Sequence, residues 1–266
     1  KAADIGVAMG GEGGTDVARM TADVVLEDNN LESMVTAITQ GRAIYGNTRN
    51  AILYLLSTNI SEIMVMGCAV AAGVGAPLNP LQLLWINLVS DIFPVLALAI
   101  QPPEPGILRR APRAASEPFI DRVDLQRVMV QSSMISGGTF ASYAWGRMRH
   151  GSGPPAATMA FTTITVAQFL HMLSCRSDQQ SVFCAGRAPL NTELKLGLAA
   201  GLGLQSLTIA FGPLRRLLRN TTLSPLDFAV SMLGAGVPFL MNEAIKHTRN
   251  IHSSTTLELD DSGDSR

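Results

Sequence analysis

Apolar residues run through this chain in six blocks, at 51–74, 78–100, 125–145, 157–175, 192–211 and 225–244, each near the length a helix needs to cross a bilayer. The connection between the first two, Ala76 to Asn79, is tight and uncharged, which holds these blocks as neighbours. The pattern predicts a membrane all-α bundle of six transmembrane helices, over 51–245. Ahead of the first block, Leu31, Met34, Val35, Ile38, Ile44 and Tyr45 recur at helical spacing, with Arg42 and Arg49 on the way to Ala51. Past Ala51 the charges of this stretch end, except for Glu62. One long helix is expected, a stalk over 34–50 that becomes a span at 51; the alternative is two helices with a break at Gly41 or Gly46. Residues 1–33 read as a short α/β piece: an apolar run at 5–9, a helical stretch at 15–22 with Thr15 or Asp16 as N-cap, and a second buried strand at Val24, Val25 and Leu26. The Ser- and Asp-rich end, 246–266, is expected to be a disordered tail.

Composition agrees with the membrane reading. Of the 266 residues 47 % are hydrophobic and 15 % charged, with mean hydropathy +0.25, too apolar for an ordinary soluble domain. A net charge of −1 and the lack of a basic run interleaved with aromatics exclude nucleic acid as a partner and leave the lipid bilayer. Cys68, Cys175 and Cys184 have neither disulfide-framework nor metal-ligand spacing, and Cys68, inside an apolar span, reads as a packing residue. Lys and Arg near the block ends favour one side, with Arg42, Arg49, Arg109, Arg110, Arg113, Arg122, Arg176, Arg187, Lys246 and Arg249 against Arg147, Arg149, Arg215, Arg216 and Arg219. By the positive-inside rule this multi-pass protein has a cytosolic start and a cytosolic tail. The chain opens on Lys1 with no targeting sequence, which reads as a fragment whose beginning lies elsewhere.

The chemistry is carried by the first two blocks. Asn59 and Glu62 stand three residues apart, and Asn87, Ser90 and Asp91 stand at i, i+3 and i+4, so each set projects from one helical face. Acids inside a hydrocarbon-spanning helix are costly and usually line an ion or substrate path. Pro94 has no N–H to offer Ser90 four residues earlier, which frees a further carbonyl oxygen. Carboxylate, amide, hydroxyl and carbonyl oxygens suit a hard cation such as Ca²⁺, whereas a transition metal would call for His or Cys. The opposing reading is a pair of polar clusters that glue helices together. Gln168 and His171, three apart on the fourth block, could face the same interior; Gln168 reads as ligand or as glue, His171 as a structural hydrogen-bonding residue. Glu243, beside Lys246 and His247, reads as an interfacial residue at the end of the last block. Gly10, Gly11, Gly13 and Gly14 fit neither phosphate-binding glycine pattern and read as a plain strand-to-helix turn.

These residues also resemble a known family. Lys1-Ala2-Ala3-Asp4-Ile5-Gly6-Val7-Ala8-Met9-Gly10, then Gly14-Thr15-Asp16-Val17-Ala18 and Ala22-Asp23-Val24-Val25-Leu26, are similar to the end of the HAD-like phosphorylation domain of P-type cation-transporting ATPases. Gly41-Arg42-Ala43-Ile44-Tyr45 resembles the stalk of that family's fifth membrane helix. Asn59-Ile60-Ser61-Glu62, and Leu84-Trp85-Ile86-Asn87-Leu88-Val89-Ser90-Asp91 followed by Pro102-Pro103, resemble the ion-binding fifth and sixth helices of its Ca²⁺-pumping branch. The resemblance implies that the blocks are helices five to ten of a ten-helix pump, preceded by the C-terminal end of the phosphorylation domain. It implies cation ligands at Asn59, Glu62, Asn87, Ser90 and Asp91, with Gln168 at an acidic ligand position of the eighth helix and Ser90 in place of a threonine. It further implies that ATP and Mg²⁺ act only through parts outside these 266 residues, namely the actuator, nucleotide-binding and phosphorylation domains and helices one to four. By itself the chain is then expected not to hydrolyse ATP.

Two functional classes follow. The first is the transport-domain part of an ATP-driven pump that moves Ca²⁺ out of the cytosol. The second is a non-catalytic membrane bundle, either a truncated product that only packs or a passive cation path.

Overall fold

The architecture comes from a computed structural model, described here over residues 4–10, 15–28, 30–104, 106–109, 111–114, 117–176 and 192–263, with side chains followed to residue 248. Strands β1 (Val7–Met9) and β2 (Val24–Leu26) pair in parallel, Val7 beside Val24 and Met9 beside Leu26, with helix α1 (Asp16–Thr21) between them in sequence. Thr15, not Asp16, caps α1: its hydroxyl accepts from Ala18 N at 3.3 Å. Gly10 ends β1 where only glycine fits, since a Cβ there would lie 2.9 Å from Glu27 Cα. Gly11, Gly13 and Gly14, like Lys1, Ala2 and Ala3, lie outside the described residues.

Helix α2 (Leu31–Ala71) is continuous. Neither Gly41 nor Gly46 breaks it, and a Cβ on either would meet nothing within 4 Å, so the two-helix alternative is excluded. By internal contacts the chain forms two compact units, one of Lys1–Gly46 with Pro102–Glu117, the other of Asn47–Gln101 with Pro118–Arg266. In the first, Arg42 Nη1 donates to Ile107 O at 2.9 Å, and the Arg113 guanidinium lies over the Tyr45 ring, 4.8 Å from its centroid. A short connecting segment is thereby clasped to the N-terminal part of α2 by charge-assisted and cation–π contacts.

The second unit is helical. After α2 come α3 (Pro80–Trp85), a π-helical turn (Ile86–Ser90) and α4 (Ile92–Ala99), then α5 (Arg122–His150), α6 (Pro154–Cys175), α7 (Thr192–Ala210), the short α8 (Gly212–Leu217) and α9 (Pro225–Gly263). Asn79 starts α3 with a reciprocal capping box, accepting from Gln82 N while the Gln82 side chain accepts from Asn79 N. Helix α6 is the centre of this unit, with Ala156, Ala160, Phe161, Ile164 and Ala167 in a core shared with Val65 of α2, Ile135 of α5 and Ala235 of α9. Small residues set the approach distances, as in other membrane bundles. A Cβ on Gly138 of α5 would fall 2.1 Å from Gly234 O of α9, and one on Gly201 of α7 would fall 2.4 Å from the Phe169 ring of α6.

Among the described residues, four helical stretches are long and apolar enough to cross a membrane: Leu31–Ala71, Pro80–Ala99, Pro154–Cys175 and Pro225–Thr248. The remaining two expected spans, 125–145 and 192–211, are helices α5 and α7, but too polar to qualify by composition. On α5 that polarity is turned inward, since Ser132, Ser136, Thr139 and Ser142 are buried.

Some expectations change. The second span is not a plain helix over 78–100, because the π turn interrupts it. Cys68 does not pack inside but is exposed on α2, and Cys184 lies outside the described residues. Glu243, at the end of the last block, is packed within the protein: it is 1 % exposed, accepts from Ser174 Oγ at 2.5 Å and pairs with Lys246 at 3.5 Å. Lys246 also donates to Ser174 O in the last turn of α6, where a cation offsets the unpaired carbonyls of a helix end. The backbone of α9 stays helical to Gly263, across the residues read as a tail.

Candidate cation site

Glu62 is placed by the periodicity of α2, which turns Tyr54, Thr58, Ser61 and Glu62 inward as buried residues at i, i+4, i+7 and i+8. Its carboxylate receives one amide from each of two neighbouring helical segments. Asn87 Nδ2 donates to Glu62 Oε2 at 2.7 Å, and Gln168 Nε2 donates to Glu62 Oε1 at 3.0 Å. A carboxylate 5 % exposed within a hydrocarbon-length span needs such donors, because an unpaired charge there is costly.

Asp91 is placed by the π turn. Its N–H reaches back five residues to Ile86 O at 3.0 Å, and this wide turn carries Asn87 and Ser90. Such turns widen a helix and expose backbone oxygen, and they recur at functional sites. Pro94, buried one turn later, has no N–H to return to Ser90 O. The register differs from that of an α-helix: Asn87 is exposed, with its amide on Glu62, while Ser90 and Asp91 are buried. The three therefore do not share one face as the α-helical spacing predicts.

Tyr54 of α2 donates its hydroxyl hydrogen to Asp91 Oδ1 at 3.3 Å, and its ring stacks on that of His171, with centroids 6.0 Å apart. His171 Nε2 in turn lies 3.2 Å from Cys175 Sγ, one turn along α6. At this site two buried acceptors, Asp91 Oδ2 and Gln168 Oε1, are without a hydrogen-bond partner among the described residues. A buried, unpartnered oxygen is costly unless something positive meets it.

Of the sequence candidates, Glu62, Asn87 and Gln168 are joined directly. Asn59 lines an open groove with Glu62, Ile63, Met66, Leu83 and Asn87, but its amide N–H goes to its own helix, at Leu55 O, 2.7 Å away. Ser90 is buried in the π turn and makes no hydrogen bond to the other candidates among the described residues. No group of three or more His, Cys, Asp or Glu able to hold a metal occurs among the described residues. The donors are two carboxylates with neutral amide and hydroxyl oxygens, a set for a hard cation and not for a soft transition metal.

Residues 75–248, well over half of the chain, match the family described as "Cation transporting ATPase, C-terminus". This chain belongs to that family. Its relatives include the calcium-transporting ATPase 1 of Bacillus cereus, 35 % identical over 262 residues that cover 92 % of this chain and 29 % of that protein. The mouse calcium-transporting ATPase type 2C member 2 is 31 % identical over 247 residues, covering 92 % of this chain and 26 % of its own length. A Bacillus subtilis calcium-transporting ATPase is 35 % identical over 240 residues, 90 % of this chain and 26 % of that protein. The chain thus spans less than a third of the length of these relatives.

In this family member Tyr54 joins the candidate site through Asp91, although it is neither an acid nor an amide. Its signal was present: it precedes Thr58 by four residues and Glu62 by eight, on the same helical stripe.

Proposed function

We propose that this chain holds the transported cation in an ATP-driven pump, and that the cation is Ca²⁺. One observation carries the reading: Glu62 and Asp91, buried on neighbouring helical segments of membrane-crossing length, stand with Asp91 Oδ2 and Gln168 Oε1 unpartnered beside them. Helix glue would pair those oxygens. A cation would give them a partner and offset the carboxylate charge.

The same reading extends to the rest of the pump. Asn59, Asn87 and Ser90 add neutral oxygens, Gln168 contributes its Oε1, and upstream parts of the full protein supply ATP, Mg²⁺ and the phosphoryl-transfer residues. The start and tail face the cytosol, and transport runs outward from it. The continuous α2, which carries both the stalk residues and Glu62, is the element through which a phosphorylation-driven movement would reach the site.

The test is phosphorylation by labelled ATP, read on acid gels. The full-length protein is expected to form a Ca²⁺-dependent acyl phosphate, while residues 1–266 alone form none. Labelling of the 266-residue chain, or a full-length protein indifferent to Ca²⁺, would overturn the reading.

A further inference from the structure

Two hydroxyls on α5 reach the backbone of the helix that carries Glu62. Ser132 Oγ donates to Ser57 O at 2.9 Å, and Ser136 Oγ lies 2.9 Å from Ser61 O. Each helix advances by four residues between these rungs, so they lie one turn apart on both sides and in register. Ser57, Ser61 and Ser132 are fully buried, and Ser136 nearly so. The single O–H of Ser136 is shared with Ser132 O of its own helix at 2.7 Å, which leaves Ser132 to Ser57 as the undivided rung.

The turn of α2 that they hold is weakened from within. Ser57 Oγ bonds back to Leu53 O at 2.9 Å, Thr58 Oγ1 to Leu55 O at 3.1 Å, Asn59 Nδ2 to Leu55 O at 2.7 Å and Ser61 Oγ to Thr58 O at 2.6 Å. Side chains that bond to carbonyls three or four residues back compete with the helical ladder and bend it. Four of them fall between Ser57 and Ser61, immediately before Glu62, so the direction in which Glu62 leaves the helix is poorly fixed by α2 itself.

We infer that Ser132 and Ser136 are positioning residues of the cation site: they fix the rotation and axial register of the α2 turn bearing Asn59 and Glu62 without touching the cation. The inference rests on the pump reading above. Removing both hydroxyls leaves two carbonyls already bonded within α2, so the fold survives. What is lost is the alignment of Glu62 with Asn87 and Gln168. Ser133, between the two, is the natural control. It is exposed, its hydroxyl donates to Met129 O of its own helix at 2.7 Å, and it meets α2 only through a 4.0 Å contact with the Met64 sulfur, not through the backbone.

The experiment uses the full-length pump in membranes, with Ser132→Ala, Ser136→Ala, the double variant and Ser133→Ala. The Ca²⁺ concentration that half-activates phosphorylation by ATP is measured beside phosphorylation by inorganic phosphate in the Ca²⁺-free state. The double variant is expected to need roughly 3- to 10-fold more Ca²⁺, Ser132→Ala to account for most of that, and Ser133→Ala to match wild type. Phosphorylation by inorganic phosphate stays unchanged, and Ser132→Thr, which keeps a hydroxyl, restores the Ca²⁺ response. A double variant with wild-type Ca²⁺ activation overturns the inference alone, as does an equal loss of both reactions, which marks a merely structural role. A wild type without any Ca²⁺ activation overturns the pump reading and this inference with it.

Discussion

Tyr54 and Asp91 meet across two helical segments, the phenol donating to Asp91 Oδ1 at 3.3 Å while Asp91 Oδ2 keeps no partner. The contact orients the carboxylate; under the proposed function the other oxygen is the one that meets the cation. Tyr54→Phe keeps the ring stacked on His171 and removes only the donor. It is expected to raise the Ca²⁺ concentration for half-activation by roughly 3- to 10-fold, the worth of one hydrogen bond. Ca²⁺ titration of phosphorylation in the full-length variant checks this, and an unchanged midpoint would leave Tyr54 a packing residue.

Asp91→Asn preserves size and removes the charge. It is expected to abolish Ca²⁺-activated phosphorylation by ATP while phosphorylation by inorganic phosphate in the ion-free state persists. Glu62→Gln should act in the same direction but less severely, since Asn87 and Gln168 already occupy its oxygens. Normal calcium activation in Asp91→Asn would make Asp91 structural.

Gln168 turns its donor to Glu62, so a carboxylate there would face a carboxylate. Two Ca²⁺ ions bring four positive charges into a low-dielectric site, and affinity grows with the number of charged ligands. With only Glu62 and Asp91 supplied by these helices, a single tightly held Ca²⁺ per phosphorylation site is expected in the full pump. Gln168→Glu is expected to raise that number or tighten a weaker position. Equilibrium binding of labelled calcium measures both, and a wild-type value near two would defeat the argument.

Gly138 and Gly234 set the contact between α5 and α9. Gly138→Ala puts a methyl group where Gly234 O now stands. Helix separation by such overpacking costs about 1–3 kcal/mol. Thermal unfolding in detergent should show the loss, whereas Gly137→Ala, which meets nothing within 4 Å, should leave the midpoint unchanged.

Asp121 caps α5, and the Asp124 backbone N–H that it accepts, 2.6 Å away, holds its carboxyl below the usual carboxylate range. A depressed value stabilises the fold above the unfolded carboxylate range near pH 4 and loses that contribution as pH falls through the folded value. The difference in melting temperature between wild type and Asp121→Asn should therefore narrow as the pH is lowered below about 4. A difference that is constant with pH would mean that the cap acts without its charge.

The polarity pattern alone determined the helices and the residues at stake. Blocks of apolar residues with an acid inside two of them predict spans and a cation path, because hydrocarbon tolerates a carboxylate only where something offsets it. An α1 cap at Thr15 or Asp16 and the strand at Val24–Leu26 were legible from local pattern, and so was the presence of Glu62 and Asp91 inside apolar blocks. Tertiary structure decided what no local pattern encodes. The π turn over Ile86–Ser90 leaves Asn87 exposed while burying Asp91, a register that α-helical spacing does not contain. The partner of Glu62 on α6 lies 106 residues away, and no local pattern shows that Ser174 of α6 bonds to Glu243. Helical periodicity says which residues share a stripe; which stripe meets which is settled only when the helices close on one another.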